Sequence, residues 1–266
     1  MSSEKQIEFT KENLDTYLKE VAKEYRKQIG KNMPAEMILI GGASILVNYG
    51  FRDMTTDIDA VIQSASVMKD VIDRVGDRYD LPNGWLNQDF VRTESYSPNL
   101  SRYSEYFRTY SNVLTVRTIA AEYLIAMKLR SGRLYKNDIS DIVGILAAHA
   151  DRGSPITEEQ IKIAVTELYG GWDSIPTSSK QILDGIFKEG EYGLLYAEVA
   201  NAEEVIRNSM YSFQKQYPGA LKKNNEAYIS NAIARDTKSV IEELKRAKAV
   251  SERMESDHQA KDDMER

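Results

Sequence analysis

The sequence predicts an α+β protein, with a β-sheet flanked by helices over residues 1–150 and an all-helical domain over residues 151–266. Three observations predict it. An apolar run over residues 37–40 and a second stretch over residues 57–62 have the length of strands and are separated by a paired glycine and one short helical stretch. Stripes of helical period stand on either side of them. Beyond Asp151-Arg152-Gly153-Ser154-Pro155, the clearest break in the chain, the apolar patterns are helical.

In chain order, Thr10 is placed to cap a first helix with Leu14, Tyr17, Leu18, Val21 and Tyr25 on one stripe. It ends near Gly30, and Pro34 bars its continuation. A strand over 37–40 then meets the turn Gly41-Gly42, a short helix closed by Gly50, and a second strand opening with Asp57 and Asp59. Val67, Val71, Ile72 and Val75 mark a third helix. Residues 85–91 read as a strand, and 106–116 as one or two more. Thr118 can cap a helix carrying Leu124, Met127 and Leu129, broken at Ser131-Gly132. Asn137 can cap the next, with Ile139, Ile142, Val143 and Leu146 on one stripe and Asp138 and Asp141 sharing another face. Thr157 and Gln160 form a capping box before Ile161, Val165 and Leu168, and Gly170-Gly171 ends that helix. Further helices are expected over 178–187, 191–217 and 225–265, the last becoming almost wholly charged after Val250.

Composition narrows the function. There are no cysteines, which excludes disulfides and thiolate metal sites and fits a cytoplasmic protein. No run approaches the roughly 18 apolar residues that span a bilayer, and the first residues lack an apolar signal core, so no membrane partner is expected. A net charge of −6 argues against broad, non-specific nucleic-acid binding, though a local basic groove is compatible with it. Two histidines leave little room for histidine-based catalysis.

The chemistry concentrates at the aspartate pair. Residues i and i+2 of a strand project from one face, so Asp57 and Asp59 point together while Ile58 enters the core. Carboxylates held side by side repel unless a cation or proton sits between them. Mg²⁺, or Mn²⁺, is the expected resident, since it takes one or two carboxylates and leaves its other positions to water and phosphate oxygens. Gly41 and Gly42 remove side chains where backbone approaches a ligand, and their N–H groups open a helix that attracts anions. A phosphate cradle beside a metal-carboxylate pair implies phosphoryl or nucleotidyl transfer.

Gly41-Gly42 followed by Asp57-x-Asp59 on the next strand resembles the signature of the minimal nucleotidyltransferase superfamily, whose fold is shared with DNA polymerase β. The wider spacing, Gly-Gly-x-Ser…Gly-x-Arg-x-x-Thr-x-Asp-x-Asp, resembles the AbiEii-related toxins of type IV toxin–antitoxin pairs and neighbouring families. The resemblance implies a mixed-sheet core, an NTP as substrate, and transfer of a nucleoside monophosphate to an acceptor hydroxyl on RNA, such as a tRNA end, or on a protein. It implies that Asp57 and Asp59 hold the metal and that Gly41, Gly42, Ser44, Arg52 and Thr56 lie along the nucleotide. It also implies that Lys128 contacts the phosphates, with Asp138 or Asp141 orienting it or assisting as a base. A toxin of this group implies a cognate antitoxin acting without direct contact. The superfamily's usual third carboxylate has two candidates here, Asp89 and Glu94, neither in a matching pattern.

Taken without the resemblance, Lys128, Arg130, Arg133, Asp138 and Asp141 read first as surface ion pairs across a helical hairpin. Tyr96, Tyr103, Tyr106, Phe107 and Tyr110, interleaved with Arg102, Arg108 and Arg117, either stack bases and hold phosphates or are ordinary strand formers. Two other functions remain open at this point: an antidote-type enzyme modifying a partner toxin, and a binding or regulatory module that kept the fold and lost the chemistry.

Overall fold

A computed structural model describes residues 8–133 and 136–216. Contacts divide the chain into two compact units, Met1–Gly132 with Asp138–Tyr196, and Arg133–Asn137 with Ala197–Arg266. The boundary expected at 150/151 falls inside the first of these. The helix expected over 225–265 lies outside the described residues.

The first unit is built on a five-stranded mixed sheet in the order β3-β2-β1-β5-β4. Strands β1 (Ala35–Leu39) and β2 (Ile58–Gln63) run antiparallel, with Leu39 opposite Ala60. On the other side of β1, β5 (Leu114–Ile119) is parallel to it, and β4 (Ser104–Tyr110) closes that edge as an antiparallel hairpin with β5. Ser111 and Asn112 turn the hairpin with positive φ, a conformation asparagine tolerates well. Strand β3 has shrunk to Leu86–Asn87, followed by a 3₁₀ turn at Asp89–Arg92. The strand expected over 85–91 is therefore a two-residue edge. Its lost pairing is replaced by a side chain, for the Gln88 amide oxygen accepts from the Ile62 N–H at 3.1 Å.

Alternation along the strands sends successive residues into two separate cores. Met37 and Leu39 of β1, Ile58 and Ala60 of β2, and Leu114 and Val116 of β5 join helices α1 (Lys11–Ile29) and α3 (Met68–Tyr79). Ile38, Ile40 and Ile119 face the other way, onto α4 (Ala121–Ser131), α5 (Asp138–Asp151), α6 (Glu158–Tyr169) and α7 (Thr177–Glu189). The short α2 (Gly41–Asn48) joins β1 to the loop before β2 and supplies both cores. Helix α8 (Tyr192–Gln216) follows. Several ends are those the sequence predicts: Thr10 and Thr157 cap α1 and α6 with full capping boxes, and Gly30, Gly132 and Gly170 stop α1, α4 and α6. Thr118 is the exception. It is buried within β5, whose pairing with β4 continues through Ile119 opposite Ser104, and Ala120 takes the cap position of α4. Among the described residues no helix is long and apolar enough to cross a membrane.

Candidate functional site

Strand alternation sets the face of the second aspartate. Ile58 and Ala60 are fully buried in the α1/α3 core, while Val61 packs on the α4/α5 side. Asp59 therefore shares the α4/α5 face with Val61. It is half-buried, and Asp57, one residue before β2 begins, is exposed. The Ile40 N–H donates to the Asp59 carbonyl at 2.9 Å, which fixes the start of α2 beside the pair. The next residue, Gly41, adopts φ +55° with open space where a Cβ would stand, and it begins the helix. Backbone N–H groups at a helix start carry partial positive charge.

The second glycine answers a constraint that the sequence does not reveal. A Cβ on Gly42 would lie 2.6 Å from Thr55 Oγ1 and 3.0 Å from Arg52 Nη2. Its missing side chain makes room for residues of this chain. Arg52 fills that room and is tied on every side but one. Its Nε donates to the Met54 carbonyl at 3.0 Å, and its Nη1 donates to both carboxylate oxygens of Asp141, at 2.9 and 2.8 Å. Asp141 also accepts from Lys128 at 2.7 Å, and Lys128 donates to Asp138 at 2.6 Å. The Ser131 hydroxyl donates to the other oxygen of Asp138 at 2.5 Å. Side-chain exposure is 11% for Lys128 and 3% for each aspartate, so this is a buried network of two cations and two carboxylates, not a solvated surface cluster. Burial alone would depress the Lys128 ammonium, but the charges of Asp138 and Asp141 outweigh it and hold its pKa above the ordinary lysine value.

Of the residues expected along a nucleotide, the structure brings Gly42, Arg52, Lys128, Asp138 and Asp141 into one contiguous set. Gly41 adjoins it, and Thr56 is an exposed bend between Thr55 and Asp57. Ser44 is placed elsewhere. It is fully buried, and its Oγ accepts from the Ile119 N–H at 3.3 Å, joining α2 to the end of β5. Thr55, which the sequence did not single out, belongs to the set through its packing on Gly42 and its hydroxyl bond to the Asp57 carbonyl at 3.2 Å. No periodic signal marks it.

The candidates for a third carboxylate stay apart. Asp89 and Glu94 are 81% and 87% exposed, facing Arg92 and Arg130 at 3.9 and 4.0 Å. Among the described residues no three His, Asp or Glu side chains converge to hold a metal ion. The position beside Asp59 on β3 is Asn87, whose amide oxygen accepts from the Asp89 N–H. Two carboxylates one residue apart suit an ion that keeps most of its coordination for water and phosphate, which is the habit of Mg²⁺.

The aromatic and basic run is mostly consumed by packing. Tyr103 stacks on Tyr123 with ring centroids 4.0 Å apart, and Arg117 donates to Ser104. The Tyr110 hydroxyl and Arg108 both donate to Asp15. Tyr106, at 63% exposure, is the most open of its aromatic residues.

Residues 16–150 match a protein family described as nucleotidyltransferase of unknown function (DUF6036), which covers the sheet, the aspartate pair and the buried network. The chain belongs to the DUF6036 family. The mixed sheet flanked by helices fits a nucleotidyltransferase fold, in keeping with that family. No curated protein and no solved structure matches the chain.

Proposed function

We propose that this DUF6036 protein is a metal-dependent nucleotidyltransferase. It would move a nucleoside monophosphate from an NTP to an acceptor hydroxyl. The observation that supports this best is Asp59 on the α4/α5 face of β2, with Asp57 immediately before the strand, beside the start of α2, where the Ile40 N–H donates to the Asp59 carbonyl. Asp57 and Asp59 would hold Mg²⁺ or Mn²⁺, and the ion would neutralise charge on the phosphate oxygens. The open backbone at Gly41 and the N-terminus of α2 receive the outer phosphates. The acceptor hydroxyl oxygen attacks the α-phosphorus and its proton passes to water, the bond to the bridging oxygen breaks, and pyrophosphate leaves with the electron pair. Positioning and fixed charge do most of the work in such transfers, so a site with little covalent machinery suffices.

The finer assignment is a toxin related to the AbiEii group, cytoplasmic and held in check by a cognate antitoxin that need not touch it. It rests on the motif spacing and on the Lys128/Asp138 hairpin. RNA and a protein side chain are both acceptors of the required chemistry.

Incubation with labelled NTPs, Mg²⁺ and either total RNA or lysate tests the reading. Wild type should label one fraction, and Asp57→Ala should lower labelling at least 100-fold, on the scale of other preorganised charge in active sites. Equal labelling by both would remove the enzyme. That no third carboxylate joins the pair among the described residues favours a second reading, a nucleotide-binding module without turnover. NTP binding that is saturable and Asp57-dependent, with no transfer to any acceptor, would select it.

A further inference from the structure

We propose that Arg52 and Asp141 are positioning residues for the Asp57–Asp59 pair, and that Lys128 and Asp138 are counter-charges holding this tie in place rather than ligands of the nucleotide. The proposal rests on the metal-dependent reading above and deepens it.

The loop from Phe51 to Asp57 delivers the first aspartate to the site, and among the described residues its one strand-like contact is a bridge between Thr55 and Phe9 at 2.7 and 2.9 Å. Two side chains fix the rest. Thr55 Oγ1 holds the Asp57 carbonyl, and Arg52 braces its own loop through the Met54 carbonyl while gripping Asp141 with Nη1. Where Asp57 sits thus depends on α5, through one guanidinium. A guanidinium beneath a helix N-terminus sets positive charge against positive partial charge, an unfavourable placement that the Asp141 carboxylate offsets. Gly42 is what allows the approach.

Lys128 fits the supporting role better than a phosphate-binding one. Two of its three donors already meet carboxylates at 2.6 and 2.7 Å, and it is 11% exposed. A phosphate would have to draw it away from both partners and leave Asp138 and Asp141 buried with one counter-charge fewer. A side chain that orients a metal-binding group typically changes affinity 10–100-fold when lost.

Mn²⁺ binding to the full chain, followed by loss of the free-ion electron paramagnetic resonance signal, tests this without turnover. Measurements are made well below the melting temperature of each variant, fixed beforehand by circular dichroism. Wild type should bind one ion and Asp57→Ala should abolish the binding. Arg52→Gln and Asp141→Asn should each weaken it 10–100-fold, and the double variant no further than the worse single. Arg52→Lys should stay weak, because an ammonium cannot reproduce the forked grip. Should Arg52→Gln fail to fold, Thr55→Val removes the hold on the Asp57 carbonyl with no change of charge and should weaken binding in the same direction. Folded Arg52 and Asp141 variants that melt earlier but bind Mn²⁺ as wild type does would overturn the positioning role alone. Asp57→Ala binding as wild type does would overturn the carboxylate reading, and the positioning role with it.

Discussion

Gly41 and Gly42 are neighbours held to different constraints. At Gly41 the backbone itself demands glycine, since φ is +55° and the space above is open. At Gly42 the demand comes from Thr55 and Arg52, which occupy the space of a Cβ. Gly41→Ala should therefore cost about 1–2 kcal/mol of strain and displace nothing. Gly42→Ala should cost about 1–3 kcal/mol, as overpacking does. It should also weaken Mn²⁺ binding, because Arg52 must shift. Urea unfolding measures the first effect and the Mn²⁺ titration the second. Equal stability loss with unchanged metal affinity in both would show that Gly42 does not report on Arg52. The glycine pair was visible in the sequence, but the reason for its second member was not. The residues that need the room lie in the following loop, and no period links them to it.

At the scale of single elements, local signals were the most readable. In α6 the Thr157 hydroxyl accepts from the Gln160 N–H at 3.2 Å, and the Gln160 side chain accepts from the Thr157 N–H at 2.8 Å. Both partners lie within one turn, so four residues of sequence contain the whole interaction. Thr157→Ala should lower stability by about 1 kcal/mol, read as a shift in urea midpoint with an unchanged slope. No change would mean that solvent caps the helix as well as threonine does. Elements bounded by distant partners were misjudged. Thr118 has the chemistry of a cap, yet β4 holds it in the sheet. The run from Trp85 stops being a strand after Asn87, where a 3₁₀ turn begins and the Gln88 side chain completes the β2 edge. Trp85 itself is anchored by its indole N–H to the Ile72 carbonyl on α3. Nothing within a few residues of either position encodes those contacts.

Over the whole molecule, alternation on three strands separates two cores, but Met37, Ile38, Leu39 and Ile40 are all apolar, so no period of two in the sequence marks the faces of β1. The same rule of alternation places Asp59 on the α4/α5 face. The link from Arg52 to Asp141 spans 89 positions and follows from no rule of spacing. The two cores also bury titratable groups whose protonated forms the fold prefers. Burial pushes the Tyr49 phenol up to about 12, and raises Tyr110, Tyr123 and Tyr169 as well, while the carboxylates around Lys128 raise its ammonium. For groups raised in the folded state, the stabilisation is complete below their unfolded values, near 10, and is lost as pH climbs through the folded ones. Thermal melts should therefore be level from neutral pH to about 10 and decline steeply above. Tyr49→Phe, which removes one such group, should make the decline shallower. A decline that begins near neutral pH would assign it to other groups.

The buried network has a consequence for how the protein comes into being. Arg52 and Lys128 leave the ribosome before Asp138 and Asp141, so for a time the growing polypeptide has two cations to bury and neither of these acids to bury with them. The loop bearing Asp57 cannot be locked in its final place until the fifth helix has been synthesised and has docked. A prematurely terminated product is thereby denied an assembled site, however well its first strands have folded.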